Sequence, residues 1–297
     1  MLERILVPLD GSNLGELALL YTKELASVFN SEIHLLSVVE KRDLEYRRMV
    51  ELYLQKVSEG TQNYFQNTNS RVAVKSFIVG GNPSIEILQH SQKERVDLII
   101  MVSHGHSGIM PWTMGSTANK VVHVIECPVL LVRASMFSGG RRNAKLFGKI
   151  LLPLDGSEAG ESALPYITAI AQKLGSEVIL FSVVEYGQRV HTIGGQDFIR
   201  FSDQQIETTL KEINKYLAET SNKFADLGIK VRSVVHEGDA SVEIIKYAEE
   251  NDVRIVAMSS HGRSGMREWV FGSVSNKVLQ AGKSPLLLVK APQIVAT

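Results

Sequence analysis

The chain has 297 residues, with 32 Lys plus Arg balanced by 32 Asp plus Glu and a formal net charge of zero. A protein that grips nucleic acid needs a positive surface to displace counterions, so this balance argues against such a partner. Hydrophobic residues at 44% and charged residues at 22% exclude a disordered chain, and no apolar run is long enough to span a membrane.

The first predicted strand is Ile5–Leu9, a short apolar run closed by Asp10-Gly11-Ser12, the pattern of a buried strand feeding a helix start. Glu3 and Arg4 precede a run too short for a signal-peptide core. Leu14, Leu17, Ala18, Tyr21 and Leu25 then fall at helical spacing and make one apolar stripe. Ile33–Val39 predicts a second strand, Leu44 to about Phe65 a long helix, and Val72–Val79 a third strand. Pro83 suits the first turn of a helix running to about Glu94. Leu98–Val102 predicts a fourth strand, Ser116–Glu126 a helix, and Val129–Val132 a fifth strand. Cys127 is the single cysteine, so no intrachain disulfide forms; its expected state is an inert buried thiol. Together with the charge balance, these features point to a cytoplasmic protein.

The pattern then starts again. Ile5-Leu-Val-Pro-Leu-Asp-Gly-Ser12 returns as Ile150-Leu-Leu-Pro-Leu-Asp-Gly-Ser157, and Ser37-Val-Val-Glu40 returns as Ser182-Val-Val-Glu185. Met101-Val-Ser-His-Gly105 returns as Met258-Ser-Ser-His-Gly262, Gly115-Ser116 as Gly272-Ser273, and Pro128–Val132 as Pro285–Val289. The offset is 145 up to Glu185 and 157 after about Gly238, so the second copy carries a net twelve extra residues. These are assigned to Tyr186–Arg200, which holds Gly187, Gly194 and Gly195 with little apolar periodicity and reads as a loop. A polar, glycine-bearing stretch around Ser138–Asn143 marks a linker. The expected division is a domain at 1–134, a linker at 135–148 and a second domain at 149–297.

Alternating strands and helices imply right-handed crossovers and a parallel sheet covered on both faces, an α/β architecture. With five strands in the order 3-2-1-4-5, ligands bind beyond the carboxyl ends of strands 1 and 4, where the order reverses. Those strands end in Asp10 and in Ser103-His104-Gly105. Nine residues separate Gly105 from Gly115, and the same nine separate Gly262 from Gly272. Glycines let backbone approach a phosphate, and a Gly-Ser helix start offers free N–H groups at the positive end of the dipole. Neither the Walker nor the dinucleotide fingerprint is present. From spacing alone, a turn or helix-cap role for Asp10 and Asp155 beside Ser12 and Ser157 stands level with contact to a ligand. His104 and His106 form an H-x-H pair that Arg263 interrupts in the second copy, so loop histidines are favoured over metal ligands. Trp112 and Trp269 align and are assigned to packing.

These motifs resemble the universal stress protein family in its tandem-domain form, over nearly the whole chain. The resemblance implies two tandem Rossmann-like (adenine nucleotide alpha hydrolase-like) domains that bind ATP or another adenine nucleotide, with or without Mg. The family loop G-x-x-G-x9-G-[ST] matches Gly105, Gly115, Ser116 and the following Thr117 in copy one. In copy two it matches Ser259 (in place of the first glycine), Gly262, Gly272, Ser273 and the following Val274. The family aspartate matches Asp10 and Asp155, implying contact with the nucleoside, and the adenine-contacting valine matches Val38 and Val183. The first loop glycine is replaced by Val102 in copy one, so the second site is expected to bind better than the first.

Three functions follow. The first is a nucleotide-binding stress-response regulator, read by a regulatory protein partner. The second is a slow ATP hydrolase, for which His106 and Arg263 supply no shared catalytic set. The third is an interaction scaffold with decayed sites. The resemblance also implies antiparallel pairing of Val129–Val132 and Leu286–Val289, giving an intramolecular pseudo-dimer, with homodimerisation of chains as a further option. Two readings stand for Tyr186–Arg200: a cover over the second crevice, or a surface loop without ligand contact.

Overall fold

The computed structural model describes residues 1–40, 44–68, 70–103, 114–133, 145–192, 195–262 and 271–291. The first copy runs β1 (Arg4–Pro8), α1 (Leu17–Phe29), β2 (Glu32–Val39), α2 (Leu44–Asn67), β3 (Val74–Gly80), α3 (Pro83–Lys93), β4 (Leu98–Val102), α4 (Ser116–Val124) and β5 (Val129–Val132). The second runs β6 (Lys149–Pro153), a 3-10 turn (Gly160–Ala163), α5 (Leu164–Leu174), β7 (Glu177–Val184), β8 (Gly187–Thr192) and β9 (Gly195–Arg200). It closes with α6 (Asp203–Asp226), β10 (Val231–Glu237), α7 (Ala240–Glu250), β11 (Ile255–Ser259), α8 (Ser273–Ala281) and β12 (Leu286–Val289).

The described residues form two compact units. One spans Met1–Leu146 and takes in Pro285–Lys290; the other starts at Phe147 and includes Phe271–Ser284. In the first unit the parallel order is β3-β2-β1-β4-β5, the predicted 3-2-1-4-5. β12 pairs antiparallel with the outer edge of β5, with Leu286 opposite Leu131, Leu287 opposite Leu130 and Leu288 opposite Val129. In the second unit the parallel order is β10-β7-β6-β11.

Central strands are largely apolar because both faces are covered. All five residues of β4 and of β11 are buried, as are all four of β5 and of β12. The edge strands β3 and β10 are half-open and carry exposed positions. Helix ends follow local chemistry. α1 closes at Asn30 and α5 at Gly175, both in the left-handed region that asparagine and glycine tolerate (φ 54 and 63). α3 starts at Pro83 behind the Asn82 cap, whose side-chain oxygen accepts the Ser84 N–H at 3.2 Å. α7 starts behind Asp239, which accepts the Ser241 N–H at 2.9 Å. α6 begins with a reciprocal Ser202–Gln205 capping box. Among the described residues, no helix is long and apolar enough to cross a membrane.

One expectation is corrected. Tyr186–Arg200 is not a plain loop: β8 and β9 form an antiparallel hairpin, from Gly187 opposite Arg200 to Thr192 opposite Gly195. A two-stranded ladder satisfies its own backbone groups without a continuous apolar face, so apolar periodicity does not announce it. Cys127 is half-buried rather than buried, and burial pushes its thiol up to about 12, which leaves it unreactive as expected.

The long helices bury a narrow stripe, Leu54, Thr61 and Phe65 on α2 and Ile213, Leu217, Thr220 and Phe224 on α6. Phe65 is fully enclosed. Phe65→Ala is expected to cost about 3–5 kcal/mol in urea unfolding of the full chain, against less than about 0.5 kcal/mol for an exposed control such as Gln55→Ala.

Candidate functional site

Each unit opens its first strand into the same turn. Gly11 and Gly156 take φ values of 80 and 78, a left-handed conformation that glycine enters without steric cost. This folds the aspartate back over the turn. In the second copy Asp155 Oδ1 accepts the Ser157 N–H at 3.0 Å and the Ser157 hydroxyl at 2.6 Å, and Ser157 Oγ accepts the Gly160 N–H at 3.0 Å. The first copy repeats the geometry through Asp10, Ser12 and Gly15 at 3.0, 2.6 and 3.0 Å. The turn role therefore exists, and it uses one carboxylate oxygen.

The other oxygen of Asp155 faces the loop after β11. A Cβ placed on Gly262 would lie 2.4 Å from Asp155 Oδ2, and one on Gly160 would lie 2.5 Å from Oδ1. The two loops expected to face each other are thus in contact in the second unit. Gly15 has the same relation to Asp10, with a Cβ position 2.8 Å from Oδ1.

Below the loop, Ser259 is the last residue of β11 and is buried; its Oγ accepts the His261 N–H at 3.3 Å. The Ser260 hydroxyl sits 2.9 Å from His261 Nδ1. The loop returns through the Gly272 N–H, which donates to the Ser260 carbonyl at 2.9 Å, and Ser275 Oγ donates to the same carbonyl at 2.7 Å. Gly272 then caps α8 and, as glycine, supplies no side-chain acceptor, so among the described residues the first N–H groups, at Ser273 and Val274, point out of the helix start without one. In the first unit the Gly115 N–H donates to the Ser103 carbonyl at 2.8 Å, and Gly115 caps α4, with Ser116 and Thr117 in its first turn, again without a side-chain bond. Val102, the counterpart of Ser259, is buried in β4 opposite Val132.

Val38 and Val183 occupy the carboxyl ends of β2 and β7. Each is partly exposed where the preceding five residues of its strand are buried. Nearby, Ser37 Oγ donates to the Leu9 carbonyl at 2.9 Å and Ser182 Oγ donates to the Leu154 carbonyl, tying the second strand of each copy to the turn beside its aspartate. Gly105, His104, His106, Trp112, Arg263 and Trp269 lie outside the described residues. Among the described residues, no group of three or more His, Cys, Asp or Glu side chains is placed to hold a metal ion.

Sequence reasoning missed a second layer. Tyr216 on α6 donates its hydroxyl to Glu161 Oε1 at 2.7 Å, and Tyr53 on α2 lies within electrostatic reach of Glu16 and Asp10. Burial raises both phenols first, and the neighbouring carboxylates raise them further: Glu161 and Asp155 for Tyr216, Glu16 and Asp10 for Tyr53. The available signal was the recurrence of Gly15-Glu16 as Gly160-Glu161. The second strand end brings together a carboxylate, a half-open apolar position on the neighbouring strand and a helix N-terminus led by glycine. Chemically, a carboxylate can accept from hydroxyls, an apolar side chain can pack on a flat group, and a helix N-terminus can hold an anion.

Fold and strand ends together define a doubly wound α/β protein in two copies, with the same aspartate–serine turn after the first strand of each. The profile of the Universal stress protein family matches residues 1–133 and 146–290, and the chain belongs to that family. Among relatives, Universal stress protein MJ0577 of Methanocaldococcus jannaschii is 34% identical over 157 residues, covering 49% of this chain and 96% of that protein. Universal stress protein Rv2005c of Mycobacterium tuberculosis is 26% identical over 227 residues, covering 74% of this chain and 70% of that protein. The crystal structure of a universal stress protein from Archaeoglobus fulgidus superimposes with a TM-score of 0.65 at 22% identity, covering 98% and 99% of the two chains.

Gly262→Ala tests the loop contact. Asp155 cannot swing away cheaply because Ser157 holds its other oxygen, so the new methyl must displace the loop. The expected cost is about 1–3 kcal/mol in chemical unfolding, largely relieved in the Gly262→Ala/Asp155→Ala double variant.

Proposed function

We propose that this protein is an adenine-nucleotide-binding regulator of the stress response, holding ATP, with or without Mg, at both strand-end crevices and more tightly at the second. The nucleoside hydroxyls fall to Asp155, the adenine lies beside Val183, and the phosphates lie over Gly262 towards the Gly272-Ser273-Val274 helix start. In the first copy the same roles fall to Asp10, Val38, Gly105, Gly115, Ser116 and Thr117. The residues fit such a ligand: Gly160 and Gly262 bring backbone close against Asp155 where a Cβ would collide, and α8 presents its helix start towards the same loop. Mg would arrive with the phosphates and be held mainly by them.

The observation that carries the ranking is the fastening of the second loop. Ser259 Oγ accepts the His261 N–H and Ser275 Oγ donates to the Ser260 carbonyl. The first copy has Val102 and Ala118 at these positions, and neither side chain can make the bond. A loop fixed before the ligand arrives loses less freedom on binding.

In this reading the bound state is the signal, read by a protein partner, and turnover is slow or absent. The two copies act as an intramolecular pseudo-dimer, supported by the antiparallel pairing of β5 with β12. Calorimetric titration of nucleotide-free full chain with ATP tests the assignment. Asp155→Ala is expected to abolish the tighter class of site and leave the weaker one, while Asp10→Ala does the reverse. Unchanged binding in both variants would contradict it.

A further inference from the structure

His34 and His90 meet inside the first unit, away from the strand ends. His34 Nδ1 lies 3.0 Å from His90 Nε2, and His34 Nε2 lies 2.7 Å from Glu32 Oε1. The rings are 1% and 8% exposed, so water does not compete for these bonds. Phe77 packs against both, with centroids 4.9 Å from His34 and 4.5 Å from His90. The pair therefore fastens α3, which carries His90, to β2 and β3, which carry His34 and Phe77.

Hydrogen-bond accounting fixes the protons. An ionised Glu32 only accepts, so His34 carries its hydrogen on Nε2, and its Nδ1 accepts from the Nε2–H of His90. Both rings are neutral in that arrangement. One extra proton is tolerable: His34 then donates from both nitrogens and His90 turns its lone pair inward. A second extra proton is not, because two N–H donors and two positive rings would face each other across the same gap.

The charged groups around the pair come from every side. Glu32 on β2 is bridged to Lys75 on β3 at 2.8 Å and to Arg4 on β1 at 3.7 Å, while Lys93 and Glu94 act on His90 from the end of α3. Lys75 first, then His34, holds the Glu32 carboxyl below its usual range, so it stays ionised into acid. His90 is held below the ordinary imidazole value, by burial first and by His34 next. The positions corresponding to His34 and His90 in the second copy are Ile179 and Tyr247, which cannot form this relay.

We propose that the His34–His90 pair is an acid-sensitive latch confined to the first copy: doubly protonated, it parts, and α3 comes loose from β2 and β3. A histidine with depressed proton affinity in the closed state takes its proton more readily once open. The latch is accordingly intact above about pH 6.5 and weakens as pH falls below the ordinary imidazole value. The second copy has Ile179 and Tyr247 in place of His34 and His90. His236 on β10, which packs against Tyr247, faces the Glu243 carboxylate of α7 at 2.9 Å rather than a second imidazole, so α7 is expected to stay closed over the same range. This inference does not depend on nucleotide binding.

Amide hydrogen exchange of the full chain at pH 7.5 and 5.0, corrected for the intrinsic pH dependence, reads the latch directly. Protection in α3 and the adjoining parts of β2 is expected to fall at least about tenfold at the lower pH, with α7 and β7 unchanged. His90→Gln keeps a donor for His34 but cannot titrate, so the acid-induced loss is expected to vanish; His34→Ile/His90→Tyr, copying the second repeat, should do likewise. No loss of protection in α3, an equal loss in α7, or a loss that persists in His90→Gln would overturn the proposal.

Discussion

The carboxylate that follows the first strand of the second copy works in two directions, and the geometry of that strand end follows from the division. Asp155 Oδ1 is occupied by the Ser157 hydroxyl and backbone, which fixes the side-chain torsion. Its second oxygen is thereby aimed at Gly262, where a methyl group would not fit. A turn residue and a recognition residue are usually alternatives; in the function proposed above, one side chain is held by the first role in the orientation that the second requires. Glycine at positions 160 and 262 follows from the same constraint, since both would collide with the fixed carboxylate if they carried a Cβ.

The parallel sheet supplies the rigid base. A strand covered on both faces is apolar at most positions, and that need makes β4 and β5 legible as Leu98–Val102 and Val129–Val132 with no error at either end. Legibility declines towards the periphery. β3, predicted from Val72, begins at Val74, because an edge strand tolerates polar residues and so leaves a weak pattern. α1 begins at Leu17 although its apolar stripe starts at Leu14, since the Asp10–Gly15 turn uses the intervening residues. The exposed Leu14 belongs to the turn.

What the sequence concealed has physical reasons. The β8–β9 hairpin needs only its own ladder, so neither alternation nor length marks it. Tyr53 and Tyr216 approach their glutamates from different turns of α2 and α6, and aligning the two copies does not pair them. His34 and His90 are 56 residues apart and join only when α3 lies over the sheet. Ser275, which fastens the second loop, sits in a short helix where serine has no special signature. In each case the missing information is three-dimensional proximity. The motif glycines, by contrast, were legible because duplication printed their spacing twice.

Duplication also lets the two copies diverge. The first carries a buried histidine relay and has Val102 and Ala118 where the second has Ser259 and Ser275, which bond at the ends of its loop. The second also has an added hairpin. The central claim is that both strand-end sites still hold adenine nucleotide. Its most direct test is stoichiometric: strip the purified full chain of nucleotide, confirm that it remains folded, and count the ATP it rebinds at saturation. Two per chain, in two affinity classes, is the predicted result. A folded chain that rebinds none would contradict the account.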